Sequence, residues 1–152
     1  MRILVWGLGY VGTVSAACLA HWGHEVVGVE PNLTKVEALA GGRTDLKEPG
    51  LESLVGQAVA AGRLRATQEG TSFVPWADVS LICVGTPTGV DGSPVLRHIQ
   101  EVAREISHGL NQANRYHVVI LRSTVSLERL VKCCFPSLRS IPSDRAARIL
   151  AW

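Results

Sequence analysis

A short apolar run, Ile3 to Trp6, stops at Gly7-Leu8-Gly9-Tyr10-Val11-Gly12, and that junction limits the possible folds more than any other stretch of the chain. Gly-x-Gly-x-x-Gly says little when it falls anywhere, but here it falls where a buried strand ends and a helix begins. Gly7 permits the tight turn, Gly9 leaves backbone N–H groups open to close approach at a helix N-terminus, and Gly12 lets that helix lie near the sheet. The helix is expected to carry Val11, Val14, Cys18, Leu19 and Trp22 on one face and to stop at Gly23. Glu25 to Glu30 repeats the apolar run and completes a strand, helix, strand unit of about thirty residues.

The alternation continues beyond this unit. Asn32 can cap a helix containing Val36, Leu39 and Ala40 that ends at Gly41-Gly42. Pro49-Gly50 opens another, with Leu51, Leu54, Val55, Ala58 and Val59 on one face and Gly62 closing it. Leu64 to Thr67 reads as a short strand, Asp78 to Val84 as a buried one and His117 to Leu121 as the next. Ile99, Val102, Ala103, Ile106 and Leu110 mark the helix between the last two. Strand and helix in turn predict an α/β fold of Rossmann type, a doubly wound parallel sheet in a three-layer arrangement. The sheet is expected to be truncated after its fifth strand.

At 152 residues the chain has room for one domain of ordinary size. Its residues are 47% hydrophobic and 18% charged, with net charge +2, and it lacks the basic excess of a nucleic-acid surface, so no DNA or RNA partner is expected. The N-terminal apolar run is too short for a signal-peptide core or a membrane span, which predicts no membrane partner and a cytoplasmic location. Cys18, Cys83, Cys133 and Cys134 include no C-x-x-C pair and no clustered histidines stand near them, so they read as buried free thiols and no metal site is expected. His21, His24, His98, His108 and His117 have no carboxylate at a suggestive spacing and read as surface or packing residues.

Glu30 ends the second strand 18 residues after Gly12, where an acidic side chain accepts hydrogen bonds from adenosine ribose hydroxyls and repels a 2′-phosphate. NAD rather than NADP is therefore the expected cofactor. Lys35, one helical turn on, either pairs with phosphate or is a solvated helix residue. Val84-Gly85-Thr86-Pro87 follows the fourth strand and Arg122-Ser123-Thr124-Val125 the fifth, so both loops emerge at the carboxyl edge of the sheet, where such sheets bind ligands. Thr86 and Thr124 can each offer a hydroxyl and a backbone N–H to the cofactor, or serve turn and capping chemistry alone.

In order and spacing, GLGYVG, GHEVVGVE, EPGLESL at 48–54, ICVGTP at 82–87 and RSTV at 122–125 resemble the NAD-binding domain of the UDP-glucose/GDP-mannose dehydrogenase family over residues 1–125. RSTV together with ICVGTP inclines the resemblance toward the GDP-mannose 6-dehydrogenase branch. The resemblance implies an NAD-dependent oxidoreductase that converts the C6 alcohol of GDP-mannose or UDP-glucose to a carboxylate, a step of polysaccharide precursor synthesis. It implies two hydride transfers through a cysteine thiohemiacetal and thioester, and a homodimer for the full-length parent. By the same resemblance Tyr10 and Val11 touch the cofactor through the phosphate turn, Glu30 the ribose, Lys35 the adenosine end, and Thr86 and Thr124 the nicotinamide side. Glu30 stands where the family commonly has Asp.

The family's nucleophilic cysteine and its active-site lysine belong to a glycine-rich segment of a later sugar-binding domain, and Cys133 and Cys134 do not match it. No catalytic residue is therefore expected in this chain, which should bind NAD and turn over little alone. Two other readings stand beside it. One is a stand-alone NAD-binding regulatory module without catalysis. The other is a dehydrogenase of 6-phosphogluconate or hydroxyacyl-CoA type, for which EPGL and STV would be coincidences.

After STV the family continues with one variable residue and Pro-Gly-Thr, whereas this chain has Ser126-Leu127-Glu128-Arg129. Codons for these residues, read one base earlier, can restore Pro-Gly-Thr. We therefore expect residues 1–125 to be the NAD-binding domain and 126–152 a divergent tail out of frame with its relatives, with the central and sugar-binding domains absent. The tail holds five Lys/Arg against two Asp/Glu. A frame-shifted tail would be poorly ordered and leave the fifth strand with an unpaired edge.

Overall fold

Apolar runs that alternate with helices close into one parallel sheet in the computed structural model, which describes residues 1–89, 94–113 and 115–122 and, as backbone alone, 147–151. The strands are β1 (Arg2–Trp6), β2 (Glu25–Val29), β3 (Leu64–Thr67), β4 (Val79–Ile82), β5 (His117–Leu121) and β6 (Ala147–Ala151). Between them run α1 (Tyr10–His21), α2 (Leu33–Ala40), α3 (Leu51–Ala60) and α4 (Arg97–Asn111), with a 3₁₀ turn at Thr71–Phe73. The sheet order is β3-β2-β1-β4-β5-β6, parallel throughout. This is the doubly wound order, whose direction reverses between β1 and β4. Register puts Trp6 opposite both Val29 and Ile82, and Ile82 opposite Leu121. The residues that follow these strand ends, Gly7, Glu30, Cys83 and Arg122, therefore share one edge.

Each face of the sheet has its own core. Ile3, Val5, Val26 and Leu64 meet α1 and α3 through Ala16, Ala17, Ala20, Val55 and Ala58. Leu4, Trp6, Val27, Val29, Ile82, Val119 and Leu121 meet α4 through Ile99, Val102, Ala103, Ile106 and Leu110. The strand residues alternate between the two, as a pleat covered on both faces requires. All five apolar positions expected on α4 are buried, and Asn32 caps α2 by accepting from Thr34 N at 3.0 Å.

Three expectations need correction. In α1 the buried residues are Gly12, Thr13, Ala16, Ala17 and Ala20, whereas Val11 is 41% and Trp22 72% exposed. Apolar residues surround this helix, so periodicity does not select a face, and the close approach to the sheet selects the small side chains. In α2 only Leu39 is buried and Ala40 is exposed, because this short helix lies over the rim of the sheet. The sheet also does not end at its fifth strand. β6 pairs with β5 in parallel over five residues, His117 with Ala147 through Leu121 with Ala151. The unpaired donors and acceptors of β5 are a template that the backbone of residues 147–151 completes. Residues 147–151 are thus a strand and not part of a disordered tail; residues 123–146 and Trp152 lie outside the described residues. Among the described residues no helix is long and apolar enough to cross a membrane.

Candidate functional site

The turn from β1 into α1 is shaped by its glycines, each for a different reason. Gly7 has φ +90°, a conformation that costs other residues energy, and its N–H donates to Val29 O at 2.8 Å. A Cβ on Gly12 would lie 1.8 Å from Gly7 O, so only hydrogen fits where the helix folds back on the turn. Gly9 differs, because a Cβ there would meet no protein atom within 4 Å. Nothing in the protein demands glycine at that position, and the open space lies in front of the helix N-terminus. First-turn amides of an α-helix have no intrahelical acceptor, and the helix dipole favours an anion beside them. Thr13 secures the turn from below, its hydroxyl donating to Leu8 O at 3.0 Å.

Glu30 closes the other side. Its carboxylate accepts from Leu8 N at 2.9 Å and from Asn32 N at 3.2 Å, which locks it between the β1–α1 and β2–α2 turns, facing the space over the glycines. A carboxylate so held can still accept from a diol through its remaining lone pairs.

Between these groups lies a cleft of about 410 Å³. Gly7, Gly9, Glu30 and Lys35 line it, together with Pro31 and Gln68, the strand-end residues Cys83 to Gly85, and His98, Glu101, Val102 and Glu105 of α4. Trp6 lies against it from within the core and is 1% exposed. Gln68 Nε2 donates to Pro31 O at 2.7 Å and pins the rim. Burial pushes the Glu105 carboxyl pKa up, the Thr71 hydroxyl opposes that shift, and the Glu69 and Glu101 carboxylates add to it. Burial pushes the Cys83 thiol up to about 11, against the pull of Arg122. At neutral pH that sulfur is a protonated thiol and not a nucleophile. The cleft can bind and orient; among the described residues that line it there is no activated nucleophile.

Of the residues expected from sequence, the cleft brings together Gly7, Gly9, Glu30 and Lys35. Gly12 lies beneath the turn. Tyr10 and Val11 begin α1 and are exposed. The Tyr10 hydroxyl shares a hydrogen bond with the Glu48 carboxylate, which pushes its pKa above the usual range. Thr86 is half-buried in the β4–α4 loop and is not among the residues lining the cleft. Thr124 falls outside the described residues. Sequence reasoning missed Trp6, Gln68 and the polar stripe His98, Glu101 and Glu105. The stripe had a legible signal, since its spacing of three and four residues borders the buried face of α4. Gln68 had none, because only sheet pairing brings the end of β3 beside β2.

An open parallel sheet in doubly wound order, with a glycine turn at a helix N-terminus and a carboxylate at the end of β2, defines a dinucleotide-binding domain of the Rossmann type. The model of the UDP-glucose/GDP-mannose dehydrogenase family, NAD binding domain, matches residues 1–140. The chain belongs to this family, and the matched region is its NAD-binding domain. It is 42% identical to a GDP-mannose 6-dehydrogenase of Pseudomonas putida over 146 residues, 96% of this chain and 33% of that protein. It is 40% identical to a UDP-glucose 6-dehydrogenase of Rhizobium meliloti over 139 residues, 87% of this chain and 31% of that one. The crystal structure of a GDP-mannose dehydrogenase ternary complex from Pseudomonas aeruginosa superimposes with a TM-score of 0.87 at 38% identity, covering 98% of this chain and 35% of that one. The chain thus spans about a third of the length of the curated relatives it matches.

Proposed function

We propose that the cleft seats NAD and that these residues form the cofactor domain of a nucleotide-sugar 6-dehydrogenase. The observation that carries this reading is the pairing of empty space over Gly9 with a Glu30 carboxylate fixed by Leu8 N. The pyrophosphate would lie on the first-turn amides at Tyr10 and Val11, the adenosine ribose hydroxyls would donate to Glu30, and Lys35 would approach the adenosine end. Among the described residues lining the cleft, the carboxylates of Glu30, Glu101 and Glu105 outnumber the single lysine, Lys35, and disfavour the extra phosphate of NADP. Thr86, on the loop after β4, and by the family resemblance Thr124 are proposed for the nicotinamide side. NAD, when bound, accepts hydride; these residues hold and orient it.

GDP-mannose is the nucleotide sugar this reading favours, on the identity with GDP-mannose 6-dehydrogenases, and UDP-glucose is second. Cytoplasmic location, and a homodimer for a full-length parent, belong to the same reading. With Cys83 protonated and no other thiol lining the cleft among the described residues, a polypeptide of this sequence binds NAD without oxidising the sugar. Titration with NADH, followed by fluorescence, tests it. Saturable binding that Glu30→Ala weakens by roughly tenfold, about 1.4 kcal/mol, is expected, together with no NADH formed from NAD and GDP-mannose. A folded protein that binds no NADH would refute the cofactor reading, and turnover would refute the statement on catalysis.

A further inference from the structure

A chain of three buried hydrogen bonds runs beneath the cleft and has no part in the reading above. Trp6 Nε1 donates to Ser80 Oγ at 3.1 Å, and Ser80 Oγ lies 3.0 Å from His117 Nε2. His117 Nδ1 lies 3.0 Å from Ala77 O. The tautomer follows from the partners. A carbonyl oxygen only accepts, so Nδ1 carries the proton, and Nε2 is left to accept from the Ser80 hydroxyl. Every donor then points one way, from indole to hydroxyl to imidazole to carbonyl. Ser80 and His117 are both 0% exposed, so neither has water as a substitute partner.

The far end of the same indole is also held. A Cβ on Gly70 would sit 2.5 Å from Trp6 Cη2 and 2.6 Å from Cζ3, so the ring lies against the backbone that follows β3. Polar and steric contacts thus fix both ends of the largest side chain at the bottom of the cleft. A buried apolar strand end could be filled by Val or Ile without any such network. Placing polar groups in a core is costly unless all are satisfied, and here they are.

We propose that Ser80 and His117 are positioning residues for nucleotide binding. They act through Trp6, whose clamped indole sets the depth at which the adenosine half of a dinucleotide seats between Glu30 and α4. The inference rests on the proposed NAD reading and adds to it a means of fixing the cleft floor from two strands away. Loss of the Ser80 hydroxyl frees one end of the ring while leaving every residue that lines the cleft in place. Adding a methyl group at Gly70 displaces the ring from its other end.

Calorimetric titration of the full chain with ADP-ribose and with AMP, beside thermal unfolding of each protein, tests this. Ser80→Ala, His117→Phe and Gly70→Ala are the variants, so that one failure to fold does not end the experiment. Each folded variant is expected to bind both ligands roughly tenfold more weakly, by a similar factor for the two because both carry the adenosine half. Trp6 emission, isolated by difference from Trp6→Phe, is expected to shift in the Ser80 variant without ligand. Unchanged affinity in variants that melt at lower temperature would make the network purely structural and overturn the proposal. A loss confined to ADP-ribose would overturn its placement at the adenosine half. Absence of binding by the unaltered protein would instead count against the NAD reading itself.

Discussion

Replacing Gly9 by alanine should separate stability from binding, because the structure gives that position no reason of its own to be glycine. Its backbone, at φ −72° and ψ −167°, is open to any residue, and a Cβ would find no protein atom within 4 Å. Restricting the unfolded chain with alanine stabilises by about 0.4–1 kcal/mol. Gly9 is also the N-cap of α1, and alanine is a poorer cap than glycine by an amount of the same order, about 0.5–1 kcal/mol. The two terms oppose each other and leave stability within about 1 kcal/mol of the parent. The methyl group, however, fills the space where the pyrophosphate would meet the helix. Weakening a hydrogen bond from a first-turn amide to the charged phosphate costs about 1.5–3 kcal/mol, on the order of tenfold to a hundredfold in affinity. Gly12→Ala is the contrasting case. Moving its Cβ contact with Gly7 O from 1.8 to the 3.0 Å that real contacts require forces the helix and turn apart by about 1.2 Å, with a stability loss of about 1–3 kcal/mol. Urea unfolding and NADH titration of both variants supply the numbers. A Gly9→Ala protein that binds NADH as tightly as the parent would refute the seating of phosphate at this turn.

Other consequences follow from the same geometry. Burial, with Arg115 adding to it and the Ala77 carbonyl opposing, holds His117 below its ordinary pKa. The folded protein therefore keeps it neutral while the unfolded chain takes up a proton near the usual value of about 6.5. The stability from neutral His117 is complete above that pH and is lost as pH falls from there toward the folded pKa. The urea midpoint is accordingly expected to drop between neutrality and pH 5, and a drop of equal size in His117→Phe would rule His117 out as its source. Cys83, with its pKa at about 11, should react with iodoacetamide at neutral pH far more slowly than a free thiol; rapid labelling mapped to Cys83 by mass spectrometry would contradict its burial. The division at residue 125 is a proposal that rests on motif order. Sequencing the gene through codon 126 is expected to show Pro-Gly-Thr in the shifted frame, and its absence would join 126–152 to the domain, consistent with a family match that continues to residue 140.

The alternation of apolar runs and helices, the glycine turn and the acidic strand end were legible in the chain because each depends on neighbours within a few residues. The α4 face could be read for the same reason: polar residues border Ile99, Val102 and Ile106, so its period has only one solution. In α1, apolar on all sides, the same reasoning chose the wrong face, since distance to the sheet and not hydrophobicity decides which side chains fit. The fingerprint gives Gly9 and Gly12 different roles, close approach at the helix N-terminus and helix packing on the sheet. The folded backbone adds that the nearest atom excluding a side chain at Gly12 is a carbonyl of its own turn, Gly7 O, while the space over Gly9 is open.

The sequence by itself determined the class of fold, the glycine turn and the carboxylate opposite it, because these are local and carried by residue type. Tertiary structure alone decided that a sixth strand completes the sheet, that Gln68 and α4 wall the cleft, and that His117 is joined through Ser80 to Trp6. These contacts join residues dozens of positions apart. No period or motif encodes such a pairing, which exists only once parallel register has set the strands side by side.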